Sequence, residues 1–228
     1  MSDYTLEIEL LSDTAFGMGA GVSGLLDTEI QHDERGLPTL SGRAIKGLLV
    51  NECSEILYVL NDQQRQHWEA VAVRLFGKRG ETWDDVAGVF IADATIAPDL
   101  VAALHADLTE PADRLLNSLT DIRRQTAMNE HGAPVDESLR AIRVLLRGLT
   151  LYAPLSFHEK PHDDEKALLA ACVLLLRRAG LSRNRGKGKI SAALTERPLS
   201  PLEFAKADTY ADQASTWFEH FAMEVTQP

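Results

Sequence analysis

The hydrophobic pattern of this chain changes its period in one particular order, and that order limits the folds open to it. Residues 4–11 alternate polar and apolar side chains, which predicts a strand with one buried face. From Ser41 onward, apolar residues recur at helical spacing, and Ser41 itself is a suitable N-cap. The series continues with a helix over 63–75, a strand over 89–96, alternating residues over 139–157, an apolar helix from Asp163 through 179, and a strand over 187–194.

The resulting order, β-α-β-β-α-β with insertions, favours an α+β fold with a ferredoxin-like or RRM-like sheet over a doubly wound parallel sheet. Gly180 is the predicted stop of the apolar helix that begins at Asp163. A polar, arginine-bearing insertion at about 113–140 predicts a hairpin or protruding arm. A C-terminal extension at about 198–228 is expected to pack on the domain as a helix. The 228 residues are therefore expected to form one domain.

Several classes of protein are disfavoured by the composition. The longest apolar run, residues 167–176, is about half the length that a bilayer requires, so it predicts a buried helix. The N-terminus has no basic segment before an apolar core, so we expect a cytoplasmic protein with no membrane partner. Cys53 and Cys172 each lie in an apolar helical pattern, which favours two reduced core thiols over a disulfide or a zinc site.

The charge is unevenly distributed. The formal net charge is -11, which opposes binding to nucleic acid. Between Arg177 and Lys189, however, the chain has basic residues and no acidic one, and further arginines concentrate between Arg123 and Arg147. Such segregation permits a local anion site on an acidic protein, although a charge cluster is more often a solvated face.

Three glycine-containing segments appear in a recognisable order. The first is the loop FGMGAGVSG, residues 16–24, running into LLDTEIQHDERGLPTLSGRAIKGLL at 25–49. The second is RLFGKRG followed by GVFIADATI, which contains the pair Asp93-Ala94. The third is RRAGLSRNRGKGKI, which follows the apolar helix and opens the last predicted strand. Together, over about residues 4–194, they resemble the RAMP superfamily of CRISPR-associated proteins. One departure is the sequence Leu40-Ser41-Gly42-Arg43-Ala44, where the family usually has Pro-Gly-Ser-Ser before the helix.

The resemblance implies a guide-RNA-binding backbone subunit of a type III interference complex. Its expected partners are guide RNA, target RNA, other RAMP-type subunits and copies of itself. The mid-chain arm corresponds to the thumb that such subunits wedge into the guide–target duplex, and recognition is expected to rest on phosphates and 2′-hydroxyls. The positions that match RNA-binding parts of the family are basic: Arg43, Lys46, Arg123, Arg124, Arg140, Arg183, Arg185 and Lys187.

The first helix start and the last glycine-rich loop also suggest anion binding on chemical grounds. Residues 41–47 combine a glycine-containing turn with a helix N-terminus, which favours phosphate, and Lys46 and Arg43 are placed to reach it. Residues 182–188 offer cations on a glycine backbone that can follow a ribose-phosphate chain. The alternative for both segments is a solvated basic surface.

Asp27 falls where family members that cleave RNA have their catalytic aspartate. The resemblance therefore implies that it cuts target RNA, with Mg²⁺ or another divalent cation bound to its carboxylate or with the carboxylate aligning the 2′-hydroxyl. Lys46, Arg43 or the arm's arginines would stabilise the developing charge, and His32 could move a proton. The alternative for Asp27 is a carboxylate that caps a turn.

Three other functions remain open at this level. The chain could be a subunit of the same kind of complex that binds RNA without cutting it. It could be a stand-alone RAMP-like ribonuclease that processes guides with His32. It could also be an acidic α+β protein unrelated to RNA.

Overall fold

The computed structural model describes residues 4–19, 21, 26–78, 87–106, 111–127, 129–135, 138–183, 186–206 and 210–226. The strands are β1 (Tyr4–Leu10), β2 (Thr39–Leu40), β3 (Val89–Ile91), β4 (Ala94–Thr95), β5 (Thr120–Gln125), β6 (Arg140–Leu145), β7 (Thr150–Phe157) and β8 (Ile190–Thr195). The helices are α1 (Gly42–Val59), α2 (Asp62–Phe76), α3 (Pro98–Ala106), α4 (Ala112–Leu119), α5 (Asp163–Leu175), α6 (Pro201–Phe204) and α7 (Gln213–Thr226).

The main sheet is antiparallel, with β1 between β7 and β8. Its strand order is β2-β4-β7-β1-β8, and β3 also pairs with β7. If β3 and β4 are taken as the second strand of the motif, β8, β1 and β7 take the positions of a ferredoxin-like sheet. The predicted fold class is therefore confirmed, including the arm, which is the separate two-stranded hairpin β5–β6.

Helices α1, α2, α5 and α7 pack together and cover one face of the sheet. Leu6, Ile8 and Leu10 of β1 point toward them and are fully buried, as the alternation in the sequence predicts. The C-terminal extension adds to this layer, since α7 packs against α5 and its Trp217 ring stands edge-on to Tyr4 at 4.9 Å. The two cysteines are free and buried, as predicted.

The other face of the sheet carries two glutamates of β1 and is partly covered by α6, whose Phe204 packs on Tyr152 of β7. Glu7 and Glu9 alternate with the buried residues of β1, so their side chains lie on the opposite face. Arg197 pairs with Glu7 at 2.8 Å, and its guanidinium lies over the rings of Phe204 and Tyr210. An RRM uses this face as its RNA platform, but carboxylates here repel phosphate. The basic residues must therefore be sought at the edges and loops of the sheet.

Two predicted boundaries are wrong. The apolar helix α5 ends at Leu175, not at residue 179, because the N–H of Leu176 closes the last turn on Cys172 and the chain then pairs Arg178 with Lys189. Gly180 is needed for a close approach instead: a Cβ there would lie 2.6 Å from the Ala15 carbonyl oxygen. That pairing also delays the regular strand β8 to Ile190.

The predicted strand over 89–96 is split into β3 and β4. The break is at Ala92 and Asp93, because the Asp93 carboxylate turns away to accept a hydrogen bond from Gly42 N at 2.9 Å. The predicted insertion at about 113–140 contains α4 and β5 and ends at the first residue of β6. Within the described residues, no helix is both long enough and apolar enough to cross a bilayer.

Candidate nucleic-acid interface

Three loops meet at the end of the sheet where β1 stops and β7 starts. We call them the loop junction, which comprises residues 11–18, 146–149, 177–183 and 186–189. The N–H groups of Leu11 and Ser12 both donate to the Lys189 carbonyl, and Gly188 N donates to the Asp13 carbonyl at 3.0 Å. Thr14 exchanges two backbone hydrogen bonds with Leu145 at the end of β6. The hairpin, the first loop and the last glycine-rich loop are therefore held together.

Asp27 lies beside the hairpin and faces solvent. Its carboxylate Oδ2 accepts a hydrogen bond from Ala141 N at 2.7 Å, and its own N–H donates to the Ala141 carbonyl at 2.9 Å. The other oxygen, Oδ1, accepts no hydrogen bond from the described residues. The side chain is thus fixed at one oxygen and available at the other.

Arg124 extends this arrangement across the hairpin. It lies directly opposite Ala141 in the β5–β6 ladder. A row across three neighbouring segments is thus formed by Asp27, Ala141 and Arg124. The Cα atoms of Asp27 and Arg124, at its two ends, are separated by two strand spacings, about 10 Å. Arg124 is exposed and has no acidic partner among the described residues, so a carboxylate and a cation can act on one bound group.

Arg143, one of the arginines of the predicted arm, is not available for ligands. It is buried and pairs with Glu29 at 2.9 Å. Its Nη1 also donates to Asn117 Oδ1 at 2.8 Å and to Thr120 Oγ1 at 3.1 Å. Arg143 therefore fixes the base of the hairpin on the segment that follows Asp27.

The other hairpin arginines differ in their surroundings. Arg123 is exposed, but its guanidinium contacts Asp13 at 2.7 Å and Asp121 at 2.8 Å. The hydrogen bond to Asp13 raises the pKa of Arg123. Arg140 at the start of β6 is exposed and has no ion-pair partner within the described part of the chain. Among the described residues, Arg124 and Arg140 have no acidic partner, whereas Arg123 is held by Asp13 and Asp121.

The start of α1 differs from a simple phosphate site. Ser41 caps the helix as predicted, since its Oγ accepts from Ala44 N at 3.3 Å. The Gly42 N–H is bound by Asp93, so two of the first N–H groups are already used and a carboxylate stands at the positive end of the helix. The sequence identified the Asp93-Ala94 pair but not this role.

Arg43 and Lys46 nevertheless remain cations without acidic partners among the described residues. Arg43 is exposed in the first turn of α1. Lys46 lies about one turn beyond the first residue of α1, Gly42, and is half-buried. That burial lowers the pKa of Lys46. An anion near Lys46 would remove the cost of that desolvation.

The last glycine-rich loop is basic but partly neutralised. Burial raises the pKa of Glu52 in α1. The half-buried Arg183 lies close enough for its positive charge to offset part of that rise. The Lys187 ammonium is enclosed and finds no hydrogen-bond acceptor in the described structure. Burial lowers the pKa of Lys187, and the positive charge of Arg123 lowers it further. Arg185 and Gly24 lie outside the described residues.

His32 occupies a bridged loop. Its Nδ1 lies 2.8 Å from the Asp33 carbonyl oxygen, and its backbone pairs with Pro38. This leaves Nε2 as the nitrogen able to exchange a proton with a ligand.

The residues of Asp27's surroundings fit a divalent cation only in part. The described residues contain no group of three His, Cys, Asp or Glu side chains placed to hold a metal ion. Mg²⁺ commonly takes one carboxylate and completes its octahedron with water and substrate phosphates. Asp27 Oδ1 suits that role, but the described chain does not form a Mg²⁺ site by itself.

Comparison with known families agrees with the sequence motifs. The profile described as the RAMP superfamily matches residues 7–191. None of the curated proteins is detectably similar to the chain in sequence.

Several solved structures have a similar fold at low sequence identity. A chain of the type III-B Cmr-beta complex in its apo state is 13% identical, with a TM-score of 0.58 over 84% of this chain and 96% of that one. The same type of complex bound to cognate target RNA gives 13% identity and a TM-score of 0.61 over 84% and 96%. A chain of a type IV-B CRISPR complex gives 13% identity and a TM-score of 0.57 over 86% and 92%.

Proposed function

The chain belongs to the RAMP superfamily, and we propose that it is a guide-RNA-binding backbone subunit of a CRISPR effector complex of type III. The fold is shared with chains of type III-B Cmr-beta and type IV-B complexes, one of them solved with target RNA. Other RAMP-type subunits and further copies of this chain are its expected neighbours along the guide.

The observation that best supports RNA binding is the position of the free cations. The chain has a net charge of -11, yet several exposed arginines have no acidic partner among the described residues. They lie on the hairpin (Arg124, Arg140), at the start of α1 (Arg43) and in the loop junction (Arg147, Arg177, Arg178), whereas Glu7 and Glu9 of β1 lie on the sheet face. Such an arrangement attracts a polyanion to one side of the molecule and repels it from another. Backbone contacts of this kind read shape rather than sequence, as a subunit that accepts any guide requires.

The hairpin adds a surface suited to a duplex. The connection between β5 and β6 exposes the apolar side chains of Val135 and Leu139. Apolar side chains that protrude from a basic element can wedge between stacked bases. This chemistry supports the thumb role proposed for the arm.

We further propose that Asp27 cleaves target RNA. The supporting observation is the exposed carboxylate held beside Ala141, in one row with Arg124. In an in-line reaction the ribose 2′-oxygen loses its proton and bonds to phosphorus, while the 5′-oxygen leaves and takes up a proton. Asp27 would orient the 2′-hydroxyl and accept its proton, and Arg124 or Arg140 would stabilise charge on the phosphoryl oxygens. A divalent cation bound to Asp27 and the phosphate would supply additional charge neutralisation.

Replacing Arg183, Arg185 and Lys187 together with alanine should weaken guide-RNA binding and flatten its salt dependence. Each phosphate contact to a single strand contributes about 0.7 to the slope of log K against log salt, so the slope should fall by about 2. Fluorescence anisotropy with a labelled guide at several salt concentrations measures both quantities.

The matched control replaces Lys78, Lys160 and Lys206, which changes the net charge equally. Lys78 and Lys160 follow α2 and β7 at the opposite end of the sheet from the loop junction. The control should retain most of the slope. Equal slopes for wild type and the loop variant would make the loop an ordinary basic surface turn.

A further inference from the structure

A cavity of about 550 Å³ opens at the loop junction beside the hairpin. Asp13 lies in its wall with Arg123 of β5, Arg147 of the β6–β7 turn and Gly186 of the last glycine-rich loop. Four separate segments of the chain contribute to it, so the cavity exists only in the folded protein. Its wall contains two guanidinium-bearing residues and one carboxylate.

Lys187 is a nearby cation without an acceptor in the described structure, and it is not itself among the residues that line the cavity. Its ammonium has three N–H donors, is enclosed, and makes no hydrogen bond within the described structure. Both Arg123 and Asp13 are close enough to influence its pKa. An enclosed ammonium without an acceptor is unfavourable, and an oxygen of an incoming anion would satisfy it.

Asp13 is bound to Arg123 and not to Lys187. Its Oδ2 accepts from both Nε and Nη2 of Arg123, at 3.0 and 2.7 Å, and its Oδ1 accepts a long hydrogen bond from Arg147 N at 3.4 Å. Two nitrogens of Arg123 thus donate to one carboxylate oxygen, and a phosphate oxygen could accept the same two hydrogen bonds. Asp13 Oδ2 therefore occupies the position that a phosphate oxygen would take.

We propose that this cavity binds a phosphodiester of single-stranded RNA, and that Asp13 is a resident competitor that sets its affinity. The inference rests on the proposed RNA-binding function. When RNA binds, a phosphate replaces Asp13 on Arg123, and Arg147 lies in the same cavity wall. Asp13 then turns toward solvent, and the positive charge of the nearby Lys187 adds to the attraction.

The competitor also selects for a polymer. A free anion must displace the Asp13 carboxylate, which the folded chain itself holds at the site. A phosphate in an RNA already bound elsewhere on the hairpin is presented at a high effective concentration and can do so. Inorganic phosphate at constant ionic strength should therefore compete poorly with RNA.

Asp13→Asn should raise the affinity for a short oligouridylate about tenfold, because one carboxylate no longer holds Arg123. Asparagine keeps an acceptor for Arg147 N, so the loop fold is retained, and thermal unfolding checks this. Asp121→Asn is the matched control, since Asp121 also pairs with Arg123 but is not among the residues lining the cavity. It should change the affinity by about twofold or less, the effect of a screened surface charge.

A double-mutant cycle isolates the proposed exchange. In an Arg123→Gln background, Asp13→Asn should have little effect, because the competition it relieves no longer exists. Lys187→Gln should lower affinity and reduce the salt slope by about 0.7. The inference is overturned if Asp13→Asn and Asp121→Asn act equally, or if inorganic phosphate rather than RNA responds to Asp13→Asn. RNA binding that is strong and insensitive to Asp13 would leave the proposed function intact and reject this site, whereas no binding by wild type rejects both.

Discussion

Asp27→Ala is expected to abolish target-RNA cleavage by the assembled complex while guide and target binding persist. A positioned general acid or base contributes about 10²- to 10⁴-fold to the rate, so cutting should fall by at least about 100-fold. Wild-type cuts should recur at a constant nucleotide spacing, because each copy of the subunit places one carboxylate along the target. Denaturing gels of labelled target measure both the rate and the spacing.

The hydrogen bond from Ala141 makes asparagine the decisive control at this position. Asparagine can still accept from Ala141 N, so a carboxylate with only a structural role would tolerate Asp27→Asn. A carboxylate that accepts a proton or binds a cation would not. Normal cleavage by Asp27→Asn would therefore remove Asp27 from the chemistry. A wild-type complex that binds target without cutting favours the binding-only subunit, and metal-independent cutting of repeat RNA by the isolated chain favours the guide-processing enzyme.

Arg143→Ala should destabilise the protein by about 3–5 kcal/mol, the usual cost of leaving a buried charge without its partner. Glu29 would lose its guanidinium while remaining buried, and Asn117 and Thr120 would lose a shared donor. Urea unfolding measures the free energy. The loss should be accompanied by faster proteolysis of the hairpin, since Arg143 joins it to the segment after Asp27.

Arg123→Ala provides the comparison on the same hairpin. Its guanidinium is exposed, and solvent screens ion pairs of that kind, so we expect Arg123→Ala to change the free energy of unfolding much less than Arg143→Ala. Equal destabilisation by the two variants would show that the Glu29–Arg143 pair does not fix the hairpin. A double variant with Glu29→Leu and Arg143→Met should recover part of the loss, because no buried charge then remains unpaired.

Local patterns were sufficient for the main elements. The alternation of β1 and the helical spacing of α1 and α2 depend on neighbours in sequence, and the structure places these elements within two residues of the predicted bounds. Ser41 was recognisable as a cap because its partner, Ala44, is three residues away. The order of these elements was enough to indicate the ferredoxin-like sheet.

The early end of α5 and the break between β3 and β4 both have non-local causes. The apolar pattern of α5 continues past Leu175, but pairing of Arg178 with Lys189 draws the chain into the loop junction. Likewise the residues over 89–96 have strand propensity throughout, and the break arises because Asp93 caps a helix that begins about 50 residues earlier. Tertiary contacts therefore outweighed propensity at both places.

The arginines of the candidate interface show the same limit of prediction from local sequence. Arg123 and Arg143 look alike in the sequence, yet one is exposed beside Asp13 and the other is buried against Glu29. Their acidic partners are 110 and 114 residues away, so no spacing rule connects them. Asp13 in particular follows the first strand as an ordinary loop residue, and the sequence contains no signal of its contact with Arg123.

The central claim, that this chain is a repeated guide-RNA-binding subunit, is tested most directly by the mass of its complexes with guides of different length. Head-to-tail contacts do not close on themselves, so each added length of guide should accommodate another copy. Light scattering after size exclusion should show a mass that rises in equal steps with guide length, and no such particles without RNA. A single small oligomer of unchanged mass, with or without guide RNA of any length, would contradict the claim.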